Sequence, residues 1–419
     1  MNVDLERRES ADATSLRCLL CGGDRLKVFF HLKRFPLYIG AVPKDRADSN
    51  PCWPLRAALC LDCGHCQQET PPPEDALAGL YSHDYSCHSP VLSGIGAGIL
   101  DRFLEFLKPR LPRARTLRVL EIGCYDGYVL DKLKTLGHEV EGCDPSQGAD
   151  IAREKLGLDV RKEFFRDGLY PAASFDVVIA RHIIEHLLSP VEFLRSIARI
   201  LRPGGCVVLE TPNYAYSLSH RLWGNFHIEH VSYFTPCSLR LATRKAGFRT
   251  TDGDWGQFMY AVGKVDHDKA EPAGVASDHE LGQDLAAIRR LTDEFQAQVC
   301  AFAENLGALL QGLQSAGCTI AIYGAGGHTT MLWALNLLDP SWIACVVDGD
   351  PRKWGRLVSG FNVPVSQPER LRGDPVDYVL LSSDVYEEEM LANIRDRLRI
   401  QSKVIRLYPR VAVLDCVST

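Results

Sequence analysis

Two pairs of cysteines, Cys18-Leu19-Leu20-Cys21 and Cys60-Leu61-Asp62-Cys63, are each followed at once by a glycine, Gly22 and Gly64. Two thiolates of one tight turn reach the same cation, and two such turns complete a closed tetrahedral site of four sulfurs. No position is left for water, so the spacing selects Zn2+ in a structural role, with Cys18, Cys21, Cys60 and Cys63 as ligands. Cys52, His65 and Cys66 lie nearby as alternative ligands, and are read first as bystanders. A second cluster is Val119-Leu120-Glu121-Ile122-Gly123-Cys124-Tyr125-Asp126-Gly127. A buried strand here ends in an acidic residue and a glycine-spaced turn, from which the backbone of Gly123 and Gly127 can approach a ligand. Asp144 ends the next strand, where a carboxylate accepts hydrogen bonds from ribose hydroxyls. These residues form a nucleoside-binding half-site. A third cluster, Gly324-Ala325-Gly326-Gly327-His328-Thr329-Thr330, follows the strand Ile320 to Tyr323 and resembles the dinucleotide fingerprint, with Thr329 at its third glycine position.

The elements that position these residues follow from periodicity. Val28 to Leu59 separates the two cysteine turns by more than a short zinc ribbon does, and reads as a looped-out insertion. Pro71 to Pro73 closes this module. After a short helix, Glu74 to Tyr81, comes a polar segment, Tyr85 to Ser89, and the helical spacing of Ile99 to Leu107. Strand and helix then alternate as a doubly wound sheet requires. The helices are Tyr128 to Leu136, Ile151 to Leu156 and Pro190 to Leu201. The strands are Glu139 to Cys143, Asp159 to Phe164, Phe175 to Ala180 and Cys206 to Thr211, with a sharp turn at Arg202 to Gly205. Gly247 to Val265 supplies final antiparallel strands. A linker, Asp266 to Asp278, precedes a long amphipathic helix whose stripe (Leu281, Leu285, Ile288, Leu291, Phe295 and onward to Leu313) reads as core packing. A second βαβ unit closes the chain. The fold class is α/β, with a zinc-binding module over 1–80, a Rossmann-like domain over 81–265, and the long helix with a second Rossmann-like domain over 266–419.

Composition limits what this assembly does. With 419 residues, two or three domains are expected, and a formal charge of −6 argues against a nucleic-acid partner. Residues 1–17 have no apolar stretch and do not read as a signal peptide. Val91 to Leu100 is too short and too glycine-rich to span a bilayer. A cytoplasmic protein without a membrane partner is expected. Most of the 15 cysteines stand singly within apolar patterns, as small hydrophobes. The oligomeric state is not written in the composition.

Glu121-x-Gly123-x-x-x-Gly127, Asp144, Phe175-Asp176-Val177-Val178, Glu185-His186 and Leu201-Arg202-Pro203-Gly204-Gly205 together resemble the motif series of class I S-adenosylmethionine methyltransferases. The paired cysteine turns, Tyr85-Ser86, the central domain and Asn225 to Phe234 occur in the order seen in zinc-containing sugar C-methyltransferases, which act on nucleotide-linked keto-deoxysugars. The resemblance covers nearly the whole chain. It implies S-adenosylmethionine held by Glu121, Gly123, Tyr125 and Gly127, its ribose by Asp144, and its adenine near Glu163 to Phe165, chiefly Phe164. His182 falls at the reactive end of the cofactor; the plainer reading of His182 and His186 is capping or packing.

In that family a Tyr-x-Glu-His motif carries the general base. Here Glu229 and His230 match, and His227 stands in the tyrosine position. Methylating carbon requires a base that removes a proton next to a carbonyl, and imidazole has the suitable pKa. The resemblance thus implies His230 as base, with His227, Glu229 and His182 as catalytic partners. It implies a small-molecule substrate, a nucleotide-linked sugar, contacted by Tyr85, Asn213, Gly324, Gly326 and His328. An O- or N-methyltransferase and a nucleotide-sugar or NAD-binding protein are the competing readings.

Overall fold

The computed structural model describes residues 17–81, 89–94, 96–111, 115–265, 278–383, 386–408 and 410–415. The expected segment at Tyr85 to His88, the linker after Val265 and the first residues lie outside the described ones. A seven-stranded sheet forms the centre. Its order is Phe248–Trp255, Phe258–Val265, Leu201–Pro212, Phe175–Arg181, Arg118–Ile122, Glu139–Cys143, Asp159–Arg161. Five strands run parallel, and Phe258–Val265 inserts antiparallel beside Leu201–Pro212. The order reverses between Arg118–Ile122 and Phe175–Arg181, which places a ligand crevice at their carboxyl ends.

Two expected boundaries shift. The strand after Leu158 ends at Arg161, which leaves Phe164 on a loop with 45% of its surface exposed. Arg202 to Gly205 does not break the chain: it lies inside the strand Leu201–Pro212. The pairing with Phe175–Arg181 slips there, and Gly204 takes a φ of 79°. This is a glycine bulge, in which the extra residues are accommodated without ending the ladder.

The segment between the cysteine turns is not looped out. Leu26–Pro36 and Cys52–Cys60 pair antiparallel as a long ribbon, joined by Cys66–Gln68 and then by Ser232–Tyr233 of the central region. The apolar residues expected to sit in a loop bury a face instead. Phe29, Phe30 and Phe226 surround Phe295 of the helix Asp278–Ser315 at ring distances of 5.2 to 6.3 Å. The core packing of that helix therefore joins three parts of the chain: its stripe meets the ribbon, the segment around Tyr214 to Tyr233, and one face of the C-terminal sheet.

The C-terminal sheet has six strands, in the order Val365–Ser366, Ile343–Val347, Ile320–Tyr323, Tyr378–Leu381, Lys403–Arg406, Ala412–Leu414. The tip of the N-terminal ribbon docks on it. Ala41–Val42 pairs with Leu357–Val358, and Gly40 N–H donates to Thr330 Oγ1 at 3.0 Å. Among the described residues no helix is long and apolar enough to cross a membrane.

Phe295 is fully buried at the meeting point of these elements. Phe295→Ala is expected to lose about 3–5 kcal/mol of unfolding free energy, since the ring's burial is lost and a cavity remains. Urea denaturation measures it; a loss under about 1 kcal/mol would contradict a shared core.

Candidate active site and metal centre

The four cysteine sulfurs converge. One atom from each of Cys18, Cys21, Cys60 and Cys63 lies within 4.8 Å of every other. Sγ–Sγ distances are 3.5 Å for Cys18–Cys63 and 3.6 Å for Cys21–Cys60. A tetrahedron with metal–sulfur bonds of about 2.3 Å has edges of about 3.8 Å, so the donors fit an ion of that size. Gly22 and Gly64 have φ of 76° and 75°, the left-handed geometry that closes each turn. Their N–H groups donate to Cys18 O and Cys60 O. The neighbouring residues serve otherwise. His65 is buried against Phe234 with its Nε2 on Ser232 Oγ, Cys66 is buried in the sheet, and Cys52 is exposed.

At the expected cofactor turn, packing alone requires both glycines. Gly123 and Gly127 have φ of 72° and 77°. A Cβ on Gly123 would meet Ile183 Cδ1 at 2.4 Å, and one on Gly127 would meet Leu158 Cδ1 at 2.6 Å. In the direction of the missing Cβ, each glycine packs against a side chain of the protein. Tyr125, itself at φ 47°, donates its N–H to Asp144 Oδ2 at 2.9 Å. Asp144 Oδ1 accepts from Ser146 N–H at 2.8 Å and from its hydroxyl at 2.5 Å. The carboxylate thus ties the turn to the second strand, and its remaining lone pairs are available to a ribose.

Beneath the turn runs a chain of largely buried ionisable groups. Arg181 lies 2.5 Å from Glu210 and 3.7 Å from Glu121. His182 lies 3.2 Å from Glu185 and 3.7 Å from Glu210. Glu121 points into this chain, and burial, partly opposed by Arg181, pushes its carboxyl up to about 8. Burial would lower His182, but its hydrogen bond to Glu185 and the nearby carboxylate of Glu210 together outweigh burial and raise it to about 9. His182 is therefore an imidazolium at neutral pH and cannot accept a proton there. Its φ of 51° brings its N–H onto Glu210 O and turns the chain into the short helix Ile184–His186.

His186 and His230 face each other with rings 4.8 Å apart, and His227 lies 5.2 Å from His230. His186 Nδ1 is 3.0 Å from Glu229 O and 2.6 Å from the Tyr81 hydroxyl. A carbonyl only accepts, so Nδ1 carries a proton and donates it. The same reasoning applies to His230. The Tyr214 hydroxyl donates to Asn225 O at 2.8 Å, so it accepts from His230 Nδ1 at 2.6 Å. Burial, with His186, His227 and His182 nearby, pushes His230 well below the ordinary imidazole range. It is neutral at pH 7. Residues 227–230 form a turn, with His230 N–H on His227 O. Gln68 holds that turn, its Nε2 donating to Ile228 O and His230 O at 2.7 and 2.9 Å. His227 Nδ1 is buried with no hydrogen-bond partner among the described residues.

Of the expected substrate contacts, Tyr85 lies outside the described residues. Asn213 is already spent: its Oδ1 caps the helix Tyr214–Ser219, and its Nδ2 donates to Trp255 O and Gly256 O. It holds the fold and has no polar atom left for a substrate. Gly324 is needed because a Cβ there would meet Ser382 O at 2.8 Å. Gly326 borders open space. His328 is held by Tyr408 at 3.0 Å and packs on Trp223 at 5.4 Å, so it joins the C-terminal domain to the central one. Thr329 fills the missing glycine's place with its hydroxyl on Gly324 O and Ser382 Oγ. Sequence reasoning missed Tyr81, Gln68 and Tyr214, and passed over His186. The doublet Glu185-His186 was a signal for one of them; the others become neighbours only through folding.

The sheet order and the turn joining Gly123 to Asp144 define a class I S-adenosylmethionine-dependent methyltransferase. A methyltransferase-domain model matches residues 96–252, and a model described as the C-methyltransferase C-terminal domain matches 256–409. The chain belongs to the S-adenosylmethionine-dependent methyltransferases. C-methyltransferase NovU of Streptomyces niveus is 24% identical over 422 residues, covering 96% of this chain and 97% of that protein. A probable S-adenosylmethionine-dependent methyltransferase of Mycolicibacterium smegmatis is 35% identical over 191 residues, 42% of this chain and 72% of that one. A ubiquinone biosynthesis O-methyltransferase of Bradyrhizobium diazoefficiens is 38% identical over 104 residues, and the match spans 23% of this chain and 40% of that enzyme.

The His182 cation contributes stability that is complete below its unfolded pKa of about 6.5 and is lost as pH rises through about 9. The urea midpoint is expected to fall across that window, and the fall to be shallower in His182→Asn. A parallel fall in the variant would contradict the assignment.

Proposed function

We propose that the chain transfers methyl from S-adenosylmethionine to a carbon next to the ketone of a nucleotide-activated keto-sugar, through an enolate, and that the four cysteines hold a structural Zn2+. The observation that carries this reading is the state of His230. It is a neutral imidazole, oriented by Tyr214, with its Nε2 lone pair free of any partner among the described residues. A cationic histidine could not serve as base, and an acceptor hydroxyl on a sugar would not require the second imidazole beside it.

In this reading His230 takes the α-proton, and the electron pair of the broken C–H bond becomes the enolate. The Tyr81 hydroxyl, on His186, and His227 donate to the enolate oxygen. Placed donors of this kind stabilise charge where it develops. Glu229 contacts a substrate hydroxyl. The bound cofactor supplies an electrophilic methyl group. Resemblance to C-methyltransferase NovU along nearly the full chain supports carbon as the acceptor, and the match to a C-methyltransferase C-terminal domain supports it independently. The open space beside Gly326 supports a place for the nucleotide near the C-terminal sheet.

The zinc has an indirect part. It fixes the turn of Cys60 to Cys63, which leads into Cys66–Gln68, and Gln68 holds the backbone of His230. Chelation of one tightly held Zn2+ per chain is therefore expected to lower the melting temperature and turnover together while S-adenosylmethionine still binds. A metal-free protein with unchanged melting would contradict the zinc reading.

His230→Ala is expected to lose about 10²–10⁴-fold in turnover, the usual contribution of a positioned base, with cofactor affinity unchanged. Production of S-adenosylhomocysteine from a keto-sugar nucleotide measures turnover. Turnover within twofold of the parent enzyme would overturn the base assignment.

A further inference from the structure

The same catalytic cleft holds a constellation that proton transfer does not explain. One carboxylate oxygen of Glu185, one nitrogen of His186 and one nitrogen of His230 lie within 4.8 Å of one another. Two imidazoles and a carboxylate with open positions are the donor set of many divalent-metal sites. Glu185 is completely buried. Two of its four lone-pair positions are taken, by His182 and by Thr211 Oγ1 at 3.0 Å, and two remain. Each ring has Nδ1 engaged, on Glu229 O in one case and on the Tyr214 hydroxyl in the other. Each keeps Nε2 without a partner among the described residues. A metal-bound histidine is oriented in the same way, by a hydrogen bond from its other nitrogen to a carbonyl or oxygen acceptor.

We propose that Glu185, His186 and His230 form a second divalent-cation site, separate from the four cysteines, and that a cation held there blocks proton removal by His230. The donors suit a borderline ion such as Zn2+, Co2+ or Fe2+ rather than Mg2+ or Ca2+, which prefer all-oxygen ligands. The block follows because a lone pair shared with a metal cannot accept a proton. That second half rests on the reading of His230 as the base; the cation site itself does not. Trace zinc would then inhibit turnover.

The test adds Co2+ to the full-length chain already loaded with Zn2+ at its cysteines and records the visible spectrum. One further equivalent is expected, with the weak bands of nitrogen and oxygen ligation and without the intense thiolate charge-transfer bands of a four-sulfur site. His186→Ala and His230→Ala are expected to abolish it. Tyr214→Phe, which keeps all three ligands, is expected to weaken it about tenfold, as loss of an orienting partner does. S-adenosylmethionine binding confirms that each variant is folded. Thiolate bands alone, or a cobalt spectrum indifferent to both histidines, would overturn the site. Turnover measured in parallel is expected to fall as the site fills. A rise would overturn the block and the base reading together while the site stands. Absence of cobalt binding with His230→Ala still inactive would overturn the site and leave the base reading intact.

Discussion

Buried charge is expensive to create and more expensive to leave unpaired, and this protein places five ionisable groups toward the carboxyl ends of three adjacent strands. Glu121, Arg181, Glu210, His182 and Glu185 form one continuous chain. Removing one member of such a set strands its neighbours in a medium that cannot solvate them. The chain therefore behaves as a single piece. It sets the left-handed turn at His182, which carries Ile183 against Gly123 and so shapes the cofactor turn. It also sets Glu185, and with it the imidazole of His186 one residue further on. The turn at Gly123 and the imidazoles of His186 and His230 are thus tied through a few ångströms of interacting ionisable groups.

The other side of the site is positioned from a distance. Residues 227–230 have little regular structure of their own, and a turn without a ladder needs other anchors for its backbone groups. Gln68 supplies two of them, and the strand Ser232–Tyr233 joins the N-terminal sheet directly. The cysteine turns begin that sheet, and the ring cluster around Phe295 backs it. An N-terminal module that looks detached in the sequence is in fact the mould for the turn at residues 227–230. The ribbon tip on Leu357–Val358 extends the same frame to the C-terminal sheet.

What could be read from the sequence was whatever is local. Alternating apolar runs and helices announced two α/β sheets, and paired cysteines announced four sulfurs that meet. Glycines at 123 and 127 announced a turn, although the reason for them, Ile183 and Leu158, comes from other elements. The ribbon at Leu26–Cys60 was hidden because its strands pair across a long connection and its apolar face is covered by a helix from beyond residue 278. Asn213 was expected to contact the substrate, but the hairpin at Trp255 and Gly256 consumes its amide. Tyr81, Tyr214 and Gln68 carry no pattern of their own. They are defined by which histidine or carbonyl they meet.

The proposed reaction has carbon as the methyl acceptor, reached through an enolate that His230 as base would form. The direct measurement is hydrogen exchange at the substrate's α-carbon, in deuterated water with S-adenosylhomocysteine in place of the methyl donor. Deuterium should enter that position with the parent enzyme and not with His230→Ala. An α-proton that stays unexchanged while the same enzyme methylates the sugar would contradict the enolate, and would point to transfer onto oxygen or nitrogen instead.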